Sequence, residues 1–287
     1  MHGGYSVITL VATAFDDVAD SYDEAFTYSM IGRAQRRKVW AKLLAAFPRG
    51  SHILELNCGT GEDARYLVER GRSVVACDAS HSMIQVAKRR SPLGDSANLE
   101  FLHLANEDLG FMPREKLFDG AFSNFSGLNC LADLRPFASN LAGLVKPGGA
   151  VLICLWSRVC VAEFFWYLLH GQLRKACRRF SGKATAKVGD VTIEVAYPTI
   201  SNVRRAFSPW FRLRSRSAVG LFVPPSYVEQ WMSKHPKILA RLEGLDQLSA
   251  DWPICRDAGD HVLLELVRCN QWGRNRVRRE GVVMVQE

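Results

Sequence analysis

The chain has 287 residues, of which 48% are hydrophobic and 23% charged, and it carries a formal net charge of +8. These are ordinary globular values, and they exclude an intrinsically disordered chain or a fibrous repeat. The eight cysteines are scattered and form no C-x-x-C pair, which indicates free thiols in a reducing compartment and no structural zinc. No apolar run reaches the roughly 18 residues that a membrane span requires. The sequence therefore predicts a soluble, cytoplasmic protein with no bound metal.

Short apolar runs alternate with stretches of helical periodicity along the first half of the chain. A helical region at 21–47 comes first. The predicted strands that follow are 52–56, 73–77, 99–104, 118–125 and 150–156. The predicted helices between them are 62–70, 80–90 and 132–145. Continuous apolar strands that alternate with helices indicate a parallel sheet covered on both faces.

This alternation breaks after residue 156. Two segments, 157–198 and 224–252, interrupt it and are predicted to be insertions that form a substrate cap. A short helix and two last strands are predicted at 200–207, 211–219 and 261–269. The domain prediction is one unit over 1–270, with lid helices at 21–47, followed by a basic tail over 271–287.

A tight glycine turn, Gly59-Thr60-Gly61, follows the first predicted strand and opens a helix. Glycines let the backbone turn sharply and approach a ligand closely, and ligands of such sheets bind outside the carboxyl ends of the strands. The first helical turn carries Glu62 and Asp63, which disfavour the pyrophosphate that a dinucleotide places on a helix N-terminus. A structural role for these two carboxylates, as partners of the helix dipole, is the alternative.

The second predicted strand ends at Asp78, 17 positions after Gly61. A carboxylate at this place can accept hydrogen bonds from both hydroxyl groups of an adenosine ribose. The alternative is a capping role for the helix that starts near Ser80. The strand position and the spacing together favour the ribose.

Four ordered segments resemble the class I S-adenosylmethionine-dependent methyltransferases: ILELNCGTG at 53–61, VVACD at 74–78, FDGAFSN at 118–124 and LVKPGG at 144–149. The resemblance implies a Rossmann-like α/β fold with a doubly wound, mostly parallel sheet of seven strands, the last one antiparallel. It also implies S-adenosylmethionine as the cofactor. Tyr22, followed by Asp23, resembles the cofactor lid of the family.

The resemblance carries a set of cofactor residues onto this chain. They are Tyr22, Glu55, Asn57, Gly59, Gly61, Asp78, Ala79, Met83, Asn106, Glu107 and Asn124. Glu55 and the two glycines are assigned to the methionine part of the cofactor, and Asp78 to its ribose. Met83 resembles the residue that packs on the adenine, and it fits a core methionine equally well.

Two positions depart from the family pattern. Ala105 stands where many members have an aspartate, and Asn106 is predicted to replace the adenine contact of that residue. Asn57 stands where the family has its first glycine, and the remaining two glycines are expected to suffice for the turn.

The acceptor is predicted to be small and apolar or aromatic. Phe125 and Asn129 follow the fourth predicted strand, and Trp166 belongs to an aromatic cluster at 164–167 in the first insertion. The family's N/D-P-P-Y segment, typical of methylation of amino groups on bases or glutamine, is missing. No stable nucleic-acid partner is therefore expected.

No general base is evident, and the candidates are all histidines. His170 follows the aromatic cluster and is the best of them. His103 more simply fits a core histidine, and His81 fits a surface residue near a helix start.

The leading prediction is an S-adenosylmethionine-dependent methyltransferase that acts on a small-molecule acceptor. The alternatives are methylation of RNA or protein, which the basic charge suggests, an NAD-dependent oxidoreductase, and a binding module without chemistry. The basic half of the first insertion fits either an anionic lipid surface or the solvated end of a lid helix. Its residues are Arg174, Lys175, Arg178 and Arg179.

Overall fold

A computed structural model describes residues 7–91 and 98–270 of the chain. The predicted basic tail, 271–287, lies outside the described residues. None of the helices in the described part is long and apolar enough to cross a membrane.

The strands are β1 His52–Leu56, β2 Ser73–Asp78, β3 Leu99–His103, β4 Phe118–Ser123, β5 Val145–Trp156, β6 Lys183–Val188, β7 Val191–Ala196, β8 Phe211–Val219 and β9 His261–Arg268. The α-helices are α1 Val7–Val18, α2 Met30–Ala46, α3 Glu62–Val68, α4 His81–Arg90, α5 Leu134–Ala142, α6 Val161–Leu169, α7 Leu173–Ala176, α8 Ile200–Phe207, α9 Glu229–Met232 and α10 Pro236–Ser249. Short 3₁₀ or π turns are Asp23–Thr27, Asn106–Phe111, Gly127–Cys130, Arg178–Ser181 and Ser226–Val228.

Seven strands form one sheet in the order β3-β2-β1-β4-β5-β9-β8. The strands from β1 to β5 pair in parallel, whereas β9 runs antiparallel to both of its neighbours. This confirms the predicted doubly wound, mostly parallel seven-stranded sheet. Because β9 is reversed, its first residue lies at the edge where the parallel strands end.

The core consists of one apolar layer on each face of the sheet, because successive side chains of a strand point to opposite faces. Leu54 and Leu56 of β1 pack on one face with residues of α5 and α8, including Phe137 and Phe207. Ile53 packs on the other face with α2, α3 and α4. The central strands are buried on both faces, which explains their uninterrupted apolar sequence.

The described chain begins with a helix outside the predicted lid, which was placed at 21–47. Helix α1 packs against α4 and against the β6–β7 hairpin. Val11, Phe15 and Val18 recur at helical spacing and are half-buried in these contacts. That spacing was the available signal for the helix.

The first insertion contains α6 and α7, as its apolar and basic halves suggested, but it ends in an unpredicted hairpin. Strands β6 and β7 pair antiparallel around Gly189, which has a φ of +56°. Ile193 and Val195 alternate with exposed residues and pack against α1. The hairpin therefore anchors the helix that covers the carboxyl edge of the sheet.

Candidate active site

The loops after β1 and β4 have an unusual backbone conformation. Asn57, Phe125 and Ser126 have φ values of +57°, +45° and +70°, as do Gly59 and Gly61 at +53° and +76°. A non-glycine residue held in this region costs on the order of 1–3 kcal/mol, and such residues cluster at functional sites. Asparagine tolerates the conformation best, which explains how Asn57 can replace the first glycine of the family turn. The strain marks the carboxyl edge of the sheet as the candidate site.

Asp78 holds the glycine turn in place. Its Oδ2 accepts a hydrogen bond from the N–H of Gly59 at 2.8 Å, and its Oδ1 accepts one from the N–H of Ser80 at 2.9 Å. The N-cap of α4 is Ser80, whose Oγ accepts from the N–H of Met83. Burial raises the pKa of Asp78, and the two backbone hydrogen bonds lower it in part. Each carboxylate oxygen keeps a second lone pair that can accept a ligand hydroxyl.

Glu55 is a buried carboxyl group without a hydrogen-bond partner at one oxygen. The residue is 2% exposed, and no described residue hydrogen-bonds to its Oε2. Burial, and then the charge of Asp63, raise the pKa of Glu55 well above its usual value. A buried polar atom of this kind indicates a missing partner.

Gly59 faces open space. A Cβ atom placed on Gly59 would meet no atom of another described residue within 4 Å, its chain neighbours aside. Together, a buried acid with one oxygen that no described residue contacts through a hydrogen bond, room beside the turn and a carboxylate at the end of β2 fit a ligand that has a cationic group and vicinal hydroxyls.

A cavity of about 380 Å³ adjoins the loops after β1, β2 and β3. Asn57 accepts hydrogen bonds there from Asn106 Nδ2 at 3.2 Å and from Ser123 Oγ at 3.0 Å. The cavity brings together four predicted cofactor residues. They are Asn57, Ala79, Asn106 and Glu107.

Helix α1, the first helix of the described chain, covers this cavity. Val11 lines it, and Asp16 Oδ1 accepts hydrogen bonds from Ser80 Oγ at 2.6 Å and from the N–H of Ser82 at 2.8 Å. Met83 is 1% exposed and packs with Tyr22 and other residues of the N-terminal segment. Of the two interpretations of Met83, the structure supports the core methionine.

The predicted lid residues are linked to the glycine turn. Asp23 is buried, and its carboxylate accepts a hydrogen bond from Thr60 Oγ1 at 2.6 Å and pairs with Arg90. Arg90 also pairs with Glu62. Tyr22 is half-buried, and burial raises the pKa of its hydroxyl to about 12. The segment at 22–23 is therefore fixed directly over the loop after β1.

Asp63 joins three elements, so the acidic helical turn has a structural role. Its carboxylate accepts hydrogen bonds from Arg36 Nη1 and Trp40 Nε1, each at 2.6 Å, and from Asn124 Nδ2 at 2.8 Å. These contacts connect α3 to α2 and to the end of β4. The side chain of Asn124, a predicted cofactor residue, is thus occupied by Asp63 and by the N–H of Phe125.

Phe125 lies at the junction that was predicted to face the acceptor. Its ring packs edge-on against Phe26 at 5.0 Å and against His261 at 5.6 Å, and the Arg36 guanidinium lies 4.7 Å from its centre. An aromatic ring with a neighbouring cation and a neighbouring imidazole offers a partly apolar surface to an acceptor.

Asn129, a predicted acceptor residue, is a structural residue in its described contacts. Its side chain is 1% exposed, donates to the carbonyl of Ala196 at 2.6 Å and accepts from the N–H of Trp156 at 3.1 Å. Asn129 thereby ties the β6–β7 hairpin to the end of β5.

Trp166 and His170 lie together on α6 and its end. Trp166 is half-buried against α2 and the second insertion, where it packs with Ile31, Val223 and Leu239. His170 is exposed, and its ring stacks near that of Trp166 at 4.5 Å. The structure therefore supports a packing role for Trp166 between the two insertions and α2, and it gives His170 no described contact with Phe125.

The other two candidate histidines, His81 and His103, are on the surface. His103 is exposed, and its Nε2 lies 2.9 Å from the carbonyl oxygen of Ala79, so the core interpretation of His103 is wrong. His103 is the last residue of β3, where side chains leave the sheet for solvent. His81 is exposed at the start of α4, as its position in the sequence suggested.

Sequence reasoning missed a buried histidine, His261, which it placed only within the last strand. His261 is 4% exposed beside Phe125. Next to it, Asp260 pairs with Arg179 at 2.7 Å, and Arg179 pairs with Glu163 at 2.6 Å. The available signal was the position of a histidine at the start of a predicted antiparallel strand.

Comparison with known proteins agrees with this geometry. Residues 53–149 match the family model described as a methyltransferase domain. The demethylmenaquinone methyltransferase of Clavibacter sepedonicus is 34% identical over 147 residues, which cover 51% of this chain and 58% of that protein. The matched residues hold the glycine turn and Asp78, and their similarity to a methyltransferase domain agrees with the resemblance of the four sequence segments.

The relatives differ in how much of their length this chain matches. The chain spans 56% to 63% of the length of several relatives of the same name. The demethylmenaquinone methyltransferase of Thermobifida fusca is 28% identical over 213 residues, which cover 72% of this chain and 89% of that protein.

Solved structures share the fold of this chain. A phosphoethanolamine N-methyltransferase 2 of Haemonchus contortus has a TM-score of 0.58 at 17% identity and covers 93% of this chain and 61% of its own. An S-adenosylmethionine-dependent methyltransferase of Mesorhizobium loti has a TM-score of 0.53 at 18% identity, and the match covers 80% of this chain and 97% of that protein. These two structures show the common fold.

Proposed function

We propose that this protein transfers a methyl group from S-adenosylmethionine to a small, apolar or aromatic acceptor. The observation that carries the proposal is the buried Glu55, whose Oε2 has no hydrogen-bond partner among the described residues, near the open face of Gly59, with Asp78 at the end of the neighbouring strand. Glu55 would pair with the ammonium group of the methionine part, and Asp78 would accept the ribose hydroxyls. When bound, the cofactor supplies an electrophilic methyl group on its sulfonium.

We propose that the remaining predicted cofactor residues divide into two groups. Asn57, Ala79, Asn106 and Glu107 line the cavity and would border the adenosine, while Tyr22 closes the site from above. Met83 and Asn124 would support the site through packing and through Asp63.

We further propose that the acceptor is a hydroquinone. The relatives from Clavibacter and Thermobifida are named for demethylmenaquinone, which is an apolar aromatic molecule. Phe125 and Phe26 provide an aromatic wall, and the adjacent His261 provides a polar group beside it. The segments 157–198 and 224–252 would form the cap over this acceptor, with Trp166 joining them to α2.

Asp78→Ala is expected to weaken S-adenosylmethionine binding by about 10- to 100-fold. A hydrogen bond to a charged group contributes about 1.5–3 kcal/mol, and the variant loses those to the ribose. Calorimetric titration with S-adenosylmethionine, S-adenosylhomocysteine and NAD measures the change. Unaltered affinity in the variant would contradict the ribose role, and tight NAD binding by the wild type would support the oxidoreductase alternative instead.

An exposed apolar surface on the first insertion supports peripheral contact with an anionic membrane. Phe165, Leu169 and Leu173 are 55%, 84% and 64% exposed, and the exposed basic residues Arg174 and Lys175 follow directly. Amphipathic surfaces of this kind insert apolar side chains at the headgroup level while basic side chains meet anionic lipids. Such contact would bring the cap to a hydroquinone dissolved in the bilayer. Free cysteines throughout the described chain are consistent with a cytoplasmic location.

Leu169→Asp is expected to reduce binding to vesicles of phosphatidylglycerol and phosphatidylcholine at least 10-fold. The variant removes a large apolar side chain from the surface and adds a charge that repels the lipid headgroups. Co-sedimentation with vesicles measures the binding. The matched control is Ile254→Asp, because Ile254 is 93% exposed but lies outside the first insertion. An equal loss of vesicle binding in both variants, or no loss in Leu169→Asp, would contradict the assignment of membrane contact to the first insertion.

A further inference from the structure

His261 occupies a place in the fold that a catalytic group would need. It is the first residue of β9 and pairs with Trp156, the last residue of β5. Because β9 is antiparallel, this end of the strand lies at the carboxyl edge, where ligands of such sheets bind. The imidazole faces the edge of the Phe125 ring at 5.6 Å and the Trp156 ring at 6.3 Å.

Asp260 lies next to the imidazole and is firmly held. Its Oδ1 accepts from Arg179 Nη2 at 2.7 Å, and its Oδ2 accepts from Gln35 Nε2 at 3.3 Å. Oδ2 lies 3.4 Å from Nδ1 of His261, and no described residue hydrogen-bonds to that nitrogen. Catalytic hydrogen bonds are often long before substrate binds. The carboxylate is therefore positioned to orient the imidazole through Nδ1.

The charged groups around His261 come from three other elements besides its own. Asp260 precedes it, Arg179 and Glu163 approach from the first insertion, and Arg36 of α2 lies over the far side of Phe125. Burial lowers the pKa of His261 below 6.5, an effect that Asp260 opposes and Arg179 reinforces. The imidazole is thus neutral and able to accept a proton at neutral pH.

We propose that His261 is the general base of the reaction and that Asp260 is its positioning residue; this rests on the proposed methyltransferase function. Nε2 of His261 accepts the proton of the acceptor hydroxyl. The electron pair released into the aromatic ring forms the new carbon–methyl bond, while the sulfur–methyl bond breaks and its pair stays on sulfur. The hydrogen displaced from that ring carbon then leaves as a proton, and the hydroxyl is restored. The hydroquinone must already be reduced, because the step itself transfers no net electrons.

The experiment compares the wild type with His261→Gln, Asp260→Asn and the control His52→Gln. His52 is also the first residue of a strand and also packs against an aromatic ring, that of Phe118, but it lies at the opposite edge of the sheet. The probe is a 2-prenyl-1,4-naphthohydroquinone kept anaerobic. The measurements are the pH dependence of kcat, the affinity for S-adenosylmethionine by calorimetry, and the titration of the His261 ring by NMR.

We expect kcat of His261→Gln to fall by about 10²- to 10⁴-fold, the usual contribution of a general base. Cofactor affinity should stay within a factor of about three in all variants. The wild-type rate should fall as the pH drops through the lowered pKa of the imidazole, because the protonated ring cannot act as a base. That acid limb should vanish in His261→Gln, whose residual rate should rise with pH as the hydroquinone ionises by itself.

In Asp260→Asn, NMR should show a changed His261 titration, with a smaller loss of kcat. A wild type that binds cofactor and methylates the probe, with His261→Gln retaining the kcat and the acid limb, would overturn this inference alone. A wild type that neither binds S-adenosylmethionine nor methylates the probe would overturn the proposed function itself. A loss of kcat in His52→Gln equal to that in His261→Gln would also overturn the inference.

Discussion

Gly59→Leu is expected to weaken S-adenosylmethionine binding by at least 100-fold. A Cβ atom at Gly59 would point into space that holds no atom of another described residue within 4 Å, so a leucine side chain would fill the room proposed for the cofactor. Glu55 would then remain without its proposed cationic partner, the ammonium group of the cofactor. Calorimetric titration with S-adenosylmethionine and S-adenosylhomocysteine measures the effect.

Gly50→Leu is the matched control for this variant. Gly50 also has a positive φ, +84°, and also faces open space, but it precedes β1 at the opposite edge of the sheet. Both variants bear the same cost of placing a side chain in the left-handed region, about 1–2 kcal/mol. Equal losses of stability with a loss of affinity only in Gly59→Leu are expected. Wild-type cofactor affinity in Gly59→Leu would contradict the placement of the cofactor.

Arg179→Met is expected to lower the free energy of unfolding by about 3–5 kcal/mol, the usual cost of removing one partner from a buried ionic group. Arg179 is 5% exposed and pairs with both Glu163 and Asp260, which are themselves buried. Methionine preserves much of the volume, so the loss reports the uncompensated carboxylates. Urea unfolding followed by circular dichroism measures the change.

Arg178→Met provides the control, because the neighbouring arginine pairs with the same Glu163 but is 38% exposed at its side chain. A loss below about 1 kcal/mol is expected for this solvent-screened pair.

Burial raises the pKa of Asp260, but the charges of His261 and Arg179 outweigh that effect and lower the pKa overall. In the wild type, the ionised Asp260 therefore stabilises the fold above pH 3.8. This stabilisation is lost as the pH falls through the lowered pKa of Asp260.

Arg179→Met removes this stabilisation and leaves a buried carboxylate that takes up a proton more readily. The loss of unfolding free energy in Arg179→Met should thus be largest near neutral pH and smaller in mild acid. A deficit in Arg179→Met no larger than that in Arg178→Met would contradict the ionic role of Arg179.

The local order of the chain could be predicted from sequence because it depends on short-range patterns. Strand β1, helix α8 and strand β8 were predicted with the bounds that the structure shows. Continuous apolar runs, glycine turns and helical spacing are each set by a few neighbouring residues. The reversed last strand followed from the resemblance of four ordered segments to a known family.

The contacts between distant segments were decided only by the tertiary structure. Asp63 and Glu62 fitted ligand contacts and helix-dipole partners equally well, and the arginines that pair with them come from α2, α3 and α4. Nothing in the residues adjacent to Trp166 shows that it packs on α2 and the second insertion. Such pairings depend on how the chain returns to itself, which local patterns do not encode.

The sequence by itself determined the glycine turn and the place of Asp78 at the end of β2, since each is encoded within one strand and its following loop. The seven-stranded α/β class followed from the resemblance of four ordered segments. Only the tertiary structure decided that α1 covers the cavity, that Asn129 is occupied by the β6–β7 hairpin, and that His261 lies beside Phe125. For His261, the physical reason is that β9 runs antiparallel to both of its neighbours. A residue far along the chain from Phe125 is thereby brought to the same edge of the sheet.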